Sequence, residues 1–123
     1  MRPLLALLAL TACIQTADQP RADGIYRLVS IDGQPFAARA TISFPMPDTV
    51  AGNAPCNSYG AQLTASLPQF ETDGFFSTEI ACDALVDEGV FFAALTIMTQ
   101  ATVTAGNVTL TNPAGGRMVF VQP

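Results

Sequence analysis

An α+β domain, built as a strongly curved antiparallel β-sheet or partly open barrel packed against one helix, is the fold this sequence predicts. Three observations lead there. Short stretches of alternating apolar and polar residues recur along the chain, separated by Gly, Pro, Asn and Asp. One longer segment, about residues 83–98, repeats its apolar residues at helical spacing. The chain has 123 residues, room for a single small domain. Many short strands with one late helix favour a sheet that curls over the helix.

The first strand runs from Ile25 to Ile31, where Tyr26, Leu28 and Ser30 alternate with Ile25, Arg27, Val29 and Ile31, and Asp32-Gly33 supplies a turn. Arg39 to Phe44 is the second, with Ile42 and Phe44 on one face; the prolines of Pro45-Met46-Pro47-Asp48 are expected to end it, because proline cannot donate to a ladder. Thr49–Gly52, Ser58–Ala65 and Gln69–Phe76 follow, the last interrupted near Asp73-Gly74. In the helix, Asp83 is the expected N-cap and Asp87 and Glu88 lie in the early turns, where the dipole favours acids. Phe91, Leu95 and Met98, with Val86, Val90 and Ile97 beside them, are expected to form a broad apolar face against the sheet. Ala101–Ala105, then Asn107–Thr111, the turn Asn112–Gly116 and Arg117–Val121 close the chain.

Composition removes several classes of function. There is no lysine, the arginines are scattered, and the formal net charge is −5, so nucleic acid is not an expected partner. There is no histidine, which excludes Ser-His-Asp and Cys-His machinery. Zinc is hard to bind without it, and neither a metal nor another cofactor is expected. The carboxylate pairs Glu79 with Asp83 and Asp87 with Glu88 read as a solvated helix start, since neither sits in an oxygen-rich loop. No catalytic residue is assigned.

The N-terminus reads as an address. Arg2 precedes an apolar run from Leu4 to Leu10, far short of the roughly 20 residues a spanning helix needs, and small residues then lead to Cys13. Leu10-Thr11-Ala12-Cys13 resembles the lipobox of bacterial lipoproteins, which implies cleavage before Cys13 and lipid on its thiol. The chain then divides into a signal peptide, residues 1–12, a lipidated cysteine with a flexible tether, residues 13–23, and a domain, residues 24–123. Ile14 takes the place where an aspartate commonly retains such lipoproteins at the inner membrane, so the resemblance implies the outer membrane and its periplasmic face. Assigning Cys13 to lipid leaves Cys56 and Cys82, an even pair suited to a disulfide in an oxidising compartment; two inert buried thiols are the alternative.

A family resemblance covers nearly the whole domain. Ala51 to Gly60, reading AGNAPCNSYG, resembles the "G..GCN.Y.G" signature of META-domain proteins, the family that includes the heat-shock lipoprotein HslJ. Ser77 to Cys82, followed by Glu88 to Leu95, resembles that family's "ST.MAC" stretch and "E..F...L" helix. Pro55 stands where the family has glycine. The resemblance implies the curved sheet around a helix, no established reaction, and motif residues Gly52, Asn57, Tyr59, Gly60 and Thr78. Physics gives these scaffold roles: an amide for Asn57 to tie its own turn, close backbone approach or a bulge at Gly60, and β-branching at Thr78. The expected function is a non-enzymatic, monomeric envelope lipoprotein in stress tolerance or outer-membrane integrity, acting on an envelope protein partner. Inhibition of a basic host enzyme such as lysozyme, or carriage of a hydrophobic ligand, are the alternatives.

Overall fold

A computed structural model describes residues 24–104 and 106–123. The expected signal peptide, Cys13 and the tether lie outside these described residues. Nine strands and one helix follow in the order β1 (Ile25–Ile31), β2 (Gln34–Pro35), β3 (Thr41–Met46), β4 (Thr49–Asn53), β5 (Ser58–Leu63), β6 (Thr72–Ser77), α1 (Leu85–Leu95), β7 (Gln100–Thr104), β8 (Asn107–Thr111) and β9 (Arg117–Val121). All strands join one sheet in the order β6-β5-β4-β3-β1-β9-β8-β7, with β2 beside β1. The pairings are antiparallel throughout.

The sheet does not close, yet its two ends meet. Phe70 N–H donates to Thr99 O (2.9 Å) and Ala101 N–H donates to Pro68 O (2.8 Å), so the segment before β6 is laced to β7. This is the partly open barrel that many short strands imply. Its interior is filled from alternate strand positions, among them Tyr26, Leu28, Ile42, Val50, Tyr59, Val108, Leu110, Met118 and Phe120. The helix contributes Phe91 and Leu95, both buried. Burying a side chain the size of Phe91 contributes about 1.5–3 kcal/mol.

Several boundaries differ from the sequence expectation, each for a physical reason. The prolines do not end β3: it runs through Pro45 to Met46, because the pairing with β4 shifts register between Ser43 and Met46, and a bulge tolerates a residue that cannot donate. The strand beginning at Gln69 instead starts at Thr72; Gly74, at φ 63°, lies within β6 and bends the strand without ending it. The helix is shorter than 83–98. Ala84, not Asp83, precedes it, with no side-chain cap. At the other end the Thr96 hydroxyl donates to Phe92 O (2.9 Å), and Ile97 and Met98 switch to three-residue hydrogen bonds with Ala94 and Leu95. That tighter turn brings Met98 into the core outside the helix proper. The broad apolar face is correspondingly narrower. Val86, Val90 and Ile97 face outward, 81%, 50% and 59% exposed.

Turn chemistry follows the sequence closely. Asp32 (φ 51°) and Gly33 (φ 79°) form a two-residue hairpin turn in which both central residues need positive φ. The Asp32 carboxylate also accepts from Arg117 N–H (2.8 Å), fixing the first hairpin to the last strand. Asn112 Oδ1 accepts from Ala114 and Gly116 N–H groups (3.1 and 2.9 Å), closing the β8–β9 turn.

Candidate functional site

The residues singled out by motif converge on one corner, where the β4–β5 turn, the connector from β6 to α1, and the first turn of α1 meet. Cys56 and Cys82 are joined there by a disulfide with Cα atoms 5.6 Å apart, the pairing that thiol parity implies. Beneath it lies a polar cluster. Glu88 is only 5% exposed, and its two oxygens accept from Cys56 N–H and Asn57 Nδ2, each at 2.7 Å. Asn57 Nδ2 donates also to Ile80 O (3.0 Å), while Asn57 Oδ1 accepts from Ile80 N–H (2.6 Å) and the Thr78 hydroxyl (2.9 Å). Thr78 Oγ1 in turn accepts from Ser58 N–H (3.2 Å). Every polar atom of the Asn57 side chain therefore works across long sequence separation, and not on its own turn as its type alone suggests.

Glu88 corrects the reading of a solvated helix start. Asp87 beside it is exposed, but Glu88 turns inward because Cys56 and Asn57 offer donors within its reach, and because the first turn of α1 favours negative charge. A signal was available in the sequence: Glu88 stands on the same helical face as Phe91 and Leu95, which are both buried. A carboxylate on an apolar stripe needs partners, and only a fold in three dimensions supplies them.

Gly52 and Tyr59 form a second constellation. They are cross-strand partners in β4 and β5, and the Tyr59 ring passes over Gly52 so that its hydroxyl donates to Thr41 O in β3 (2.6 Å). A Cβ at position 52 would press on Thr41 O and lie 2.7 Å from the Tyr59 hydroxyl oxygen. Only glycine leaves the path open. Gly60 plays a matching part on the other face, where an added Cβ would lie 2.8 Å from the ring of Phe76, and the β5–β6 register shifts between Gly60 and Gln62.

Burial pushes the Tyr59 hydroxyl well above its ordinary pKa of 10.0. The folded state therefore favours the neutral phenol. Stability contributed by this group is fully present below about pH 10 and is lost as pH rises from there toward the raised value. Alkaline unfolding followed by circular dichroism should show this loss, and Tyr59→Phe should flatten it while lowering stability at neutral pH by about 1–2 kcal/mol through the lost hydrogen bond. An unchanged alkaline slope in the variant would remove Tyr59 from the account.

The family model described as META domain matches residues 19–123 of this chain. The chain belongs to the META-domain family. Among solved structures, this META domain is similar to the "NMR structure of the protein from Burkholderia xenovorans", at 17% identity and a TM-score of 0.64, covering 88% of this chain and 92% of that one. A second, titled "NMR structure of the protein", gives 20% identity and a TM-score of 0.61 over 80% of this chain and 88% of that one. At such identities the likeness concerns the fold. None of the curated proteins matches the chain.

Above the buried cluster of the META domain opens a shallow groove of about 430 Å³, walled by Ile80, Leu85, Gly89 and Phe92, with Asn57 and Glu88 also lining it. Glu79, Asp83 and Asp87 are exposed around the same corner. Among the described residues, no group of three or more His, Cys, Asp or Glu is placed to hold a metal ion, and no helix is long and apolar enough to cross a membrane.

Proposed function

We propose that this META domain is a non-enzymatic, lipid-anchored module of the bacterial envelope, serving stress tolerance or outer-membrane integrity by holding a protein partner on the outer face of α1. The observation that carries the reading is the spacing of exposed apolar residues. Val86, Val90 and Ala93 recur at intervals of four and three along the outward side of the helix, the repeat by which one helix seats another. Glu79, Asp83 and Asp87 stand around the start of this stripe, so the fitting partner presents apolar side chains edged with Lys or Arg. The absence of histidine from the sequence supports a binding role over catalysis.

Photo-crosslinking in intact envelopes from positions 86 and 90, with position 109 on β8 as the comparison, tests the contact. A discrete adduct from the helix positions only, with the adduct from position 86 abolished by Val90→Asp, is the expected result; adducts of equal yield from position 109 would refute it. Radiolabelled fatty acid should attach to the parent chain and not to a Cys13→Ser chain.

The acidic rim favours a second reading, inhibition of a basic enzyme such as lysozyme. Titrating lysozyme with the protein decides this, since absence of inhibition at stoichiometric excess removes it. Carriage of a hydrophobic ligand is not proposed. The cavity beside α1 lined by Val50, Tyr59, Phe70 and Leu95 has a volume of about 10 Å³, space for about one water molecule.

A further inference from the structure

Two of the three arginines among the described residues, Arg27 and Arg39, line one groove of about 400 Å³. The strand register puts them there. Arg27 in β1 pairs with Thr41 in β3, and Leu28 N–H donates to Ala40 O (2.9 Å), so the two strands stay paired past Thr41. Arg39, two residues from Thr41, returns to the face that Thr41 and Arg27 share. Diagonal neighbours on one sheet face lie within reach of a single ligand.

Their surroundings are unusual for this chain. The molecule carries a net charge of −5, yet no aspartate or glutamate lines the groove, and among the described residues neither guanidinium has an ion pair. Two like charges on one groove repel each other and favour an anion between them; Pro123, the last residue of the sequence, also lines the groove. Guanidinium groups match the geometry of phosphate oxygens bidentately. Apolar walls accompany the charges: Phe36, Ala37 and Ala38 line the groove, and Ile25, 56% exposed, stands at its side. An anionic head joined to an apolar body fits this combination. The groove also flanks the first residues of β1, next to the segment expected to lead to the anchor.

We propose that Arg27 and Arg39 clamp the phosphate headgroup of an anionic phospholipid, with Ile25 against its apolar part, so that the domain rests on the bilayer surface. The preference for lipid over free phosphate rests on the reading of Cys13 as a lipid anchor, which keeps this end of the domain near the membrane. An arginine near an anionic surface changes partitioning by about five-fold, and two by about thirty-fold.

The test measures partitioning of the full chain into vesicles of phosphatidylglycerol with phosphatidylcholine, relative to phosphatidylcholine alone. The N-terminal segment contributes alike to parent and variants, so the change in this ratio reports the groove. Arg27→Gln with Arg39→Gln should lower the ratio about thirty-fold with the melting temperature unchanged, and Arg117→Gln should leave it alone. A ratio unaffected by the double substitution, or lowered equally by Arg117→Gln, overturns the proposal. Shifts of the Arg27 and Arg39 guanidinium resonances with inorganic phosphate, without any change in the vesicle ratio, assign the groove to free phosphate and overturn the lipid. Acylation of Cys13 is scored separately: its failure with the thirty-fold effect intact removes the anchor and leaves the clamp, and the reverse removes the clamp alone.

Discussion

Glu88→Ala is expected to destabilise the protein by about 3–4 kcal/mol in urea unfolding at neutral pH. The substitution strips acceptors from Cys56 N–H and Asn57 Nδ2, each bonded at 2.7 Å, and an unsatisfied donor away from water costs about 1–3 kcal/mol. Bonds to a charged acceptor lie at the upper end of that range. Glu88→Gln separates charge from shape. It keeps the length of the side chain but presents an amide N–H₂ to one of the two donors, so a loss of about 1.5–2 kcal/mol is expected. If Glu88→Ala unfolds within about 1 kcal/mol of the parent, the cluster is solvated and the account of the corner is wrong. Should Glu88→Gln cost as much as Glu88→Ala, the essential property is negative charge and not acceptor geometry.

Removing the disulfide, as Cys56→Ser with Cys82→Ser, is expected to cost about 3.5 kcal/mol. The cross-link joins positions 26 apart in sequence, and closing a loop of that size removes this much free energy of chain entropy from the unfolded state. For a domain near 100 residues that shift lowers the melting temperature by about 15–25 °C, which scanning calorimetry resolves. Because Asn57, Thr78 and Glu88 bind the same segments without the sulfurs, the reduced protein should still fold cooperatively at room temperature. A melting temperature within a few degrees of the parent would mean that the side-chain network alone holds the corner.

The parts of the fold set by neighbouring residues were legible in the sequence, and those set by distant ones were not. β8, β9 and the Asn112 turn could be read because the donors and acceptors that define the turn lie within five residues of one another. The Cys56–Cys82 pairing followed once Cys13 was set aside as the expected lipid-bearing residue, which leaves an even pair. The ends of α1 were misjudged because periodicity carries no information on where a Thr96 hydroxyl folds back or a turn tightens. Pro45 was misread because a bulge is a property of two strands. In the corner, Gly52, Asn57 and Tyr59 were visible as a motif, but their jobs depend on Thr41, Ile80 and Glu88, which lie 11 to 31 residues away. Glu88 was the principal omission. Its role requires the disulfide corner to be folded before a donor comes within reach.

The lacing of Pro68 and Phe70 onto β7 has a consequence for how copies of this chain meet. A bare strand edge on one copy is a template for the next. Here the carbonyl of Thr99 and the amide of Ala101 are already engaged within the same molecule, so an intruding chain finds that rim occupied. At the opposite rim the positive φ of Gly74 bends β6 away from the flat geometry that stacking requires. Copies that meet are thereby hindered from polymerising through their backbones.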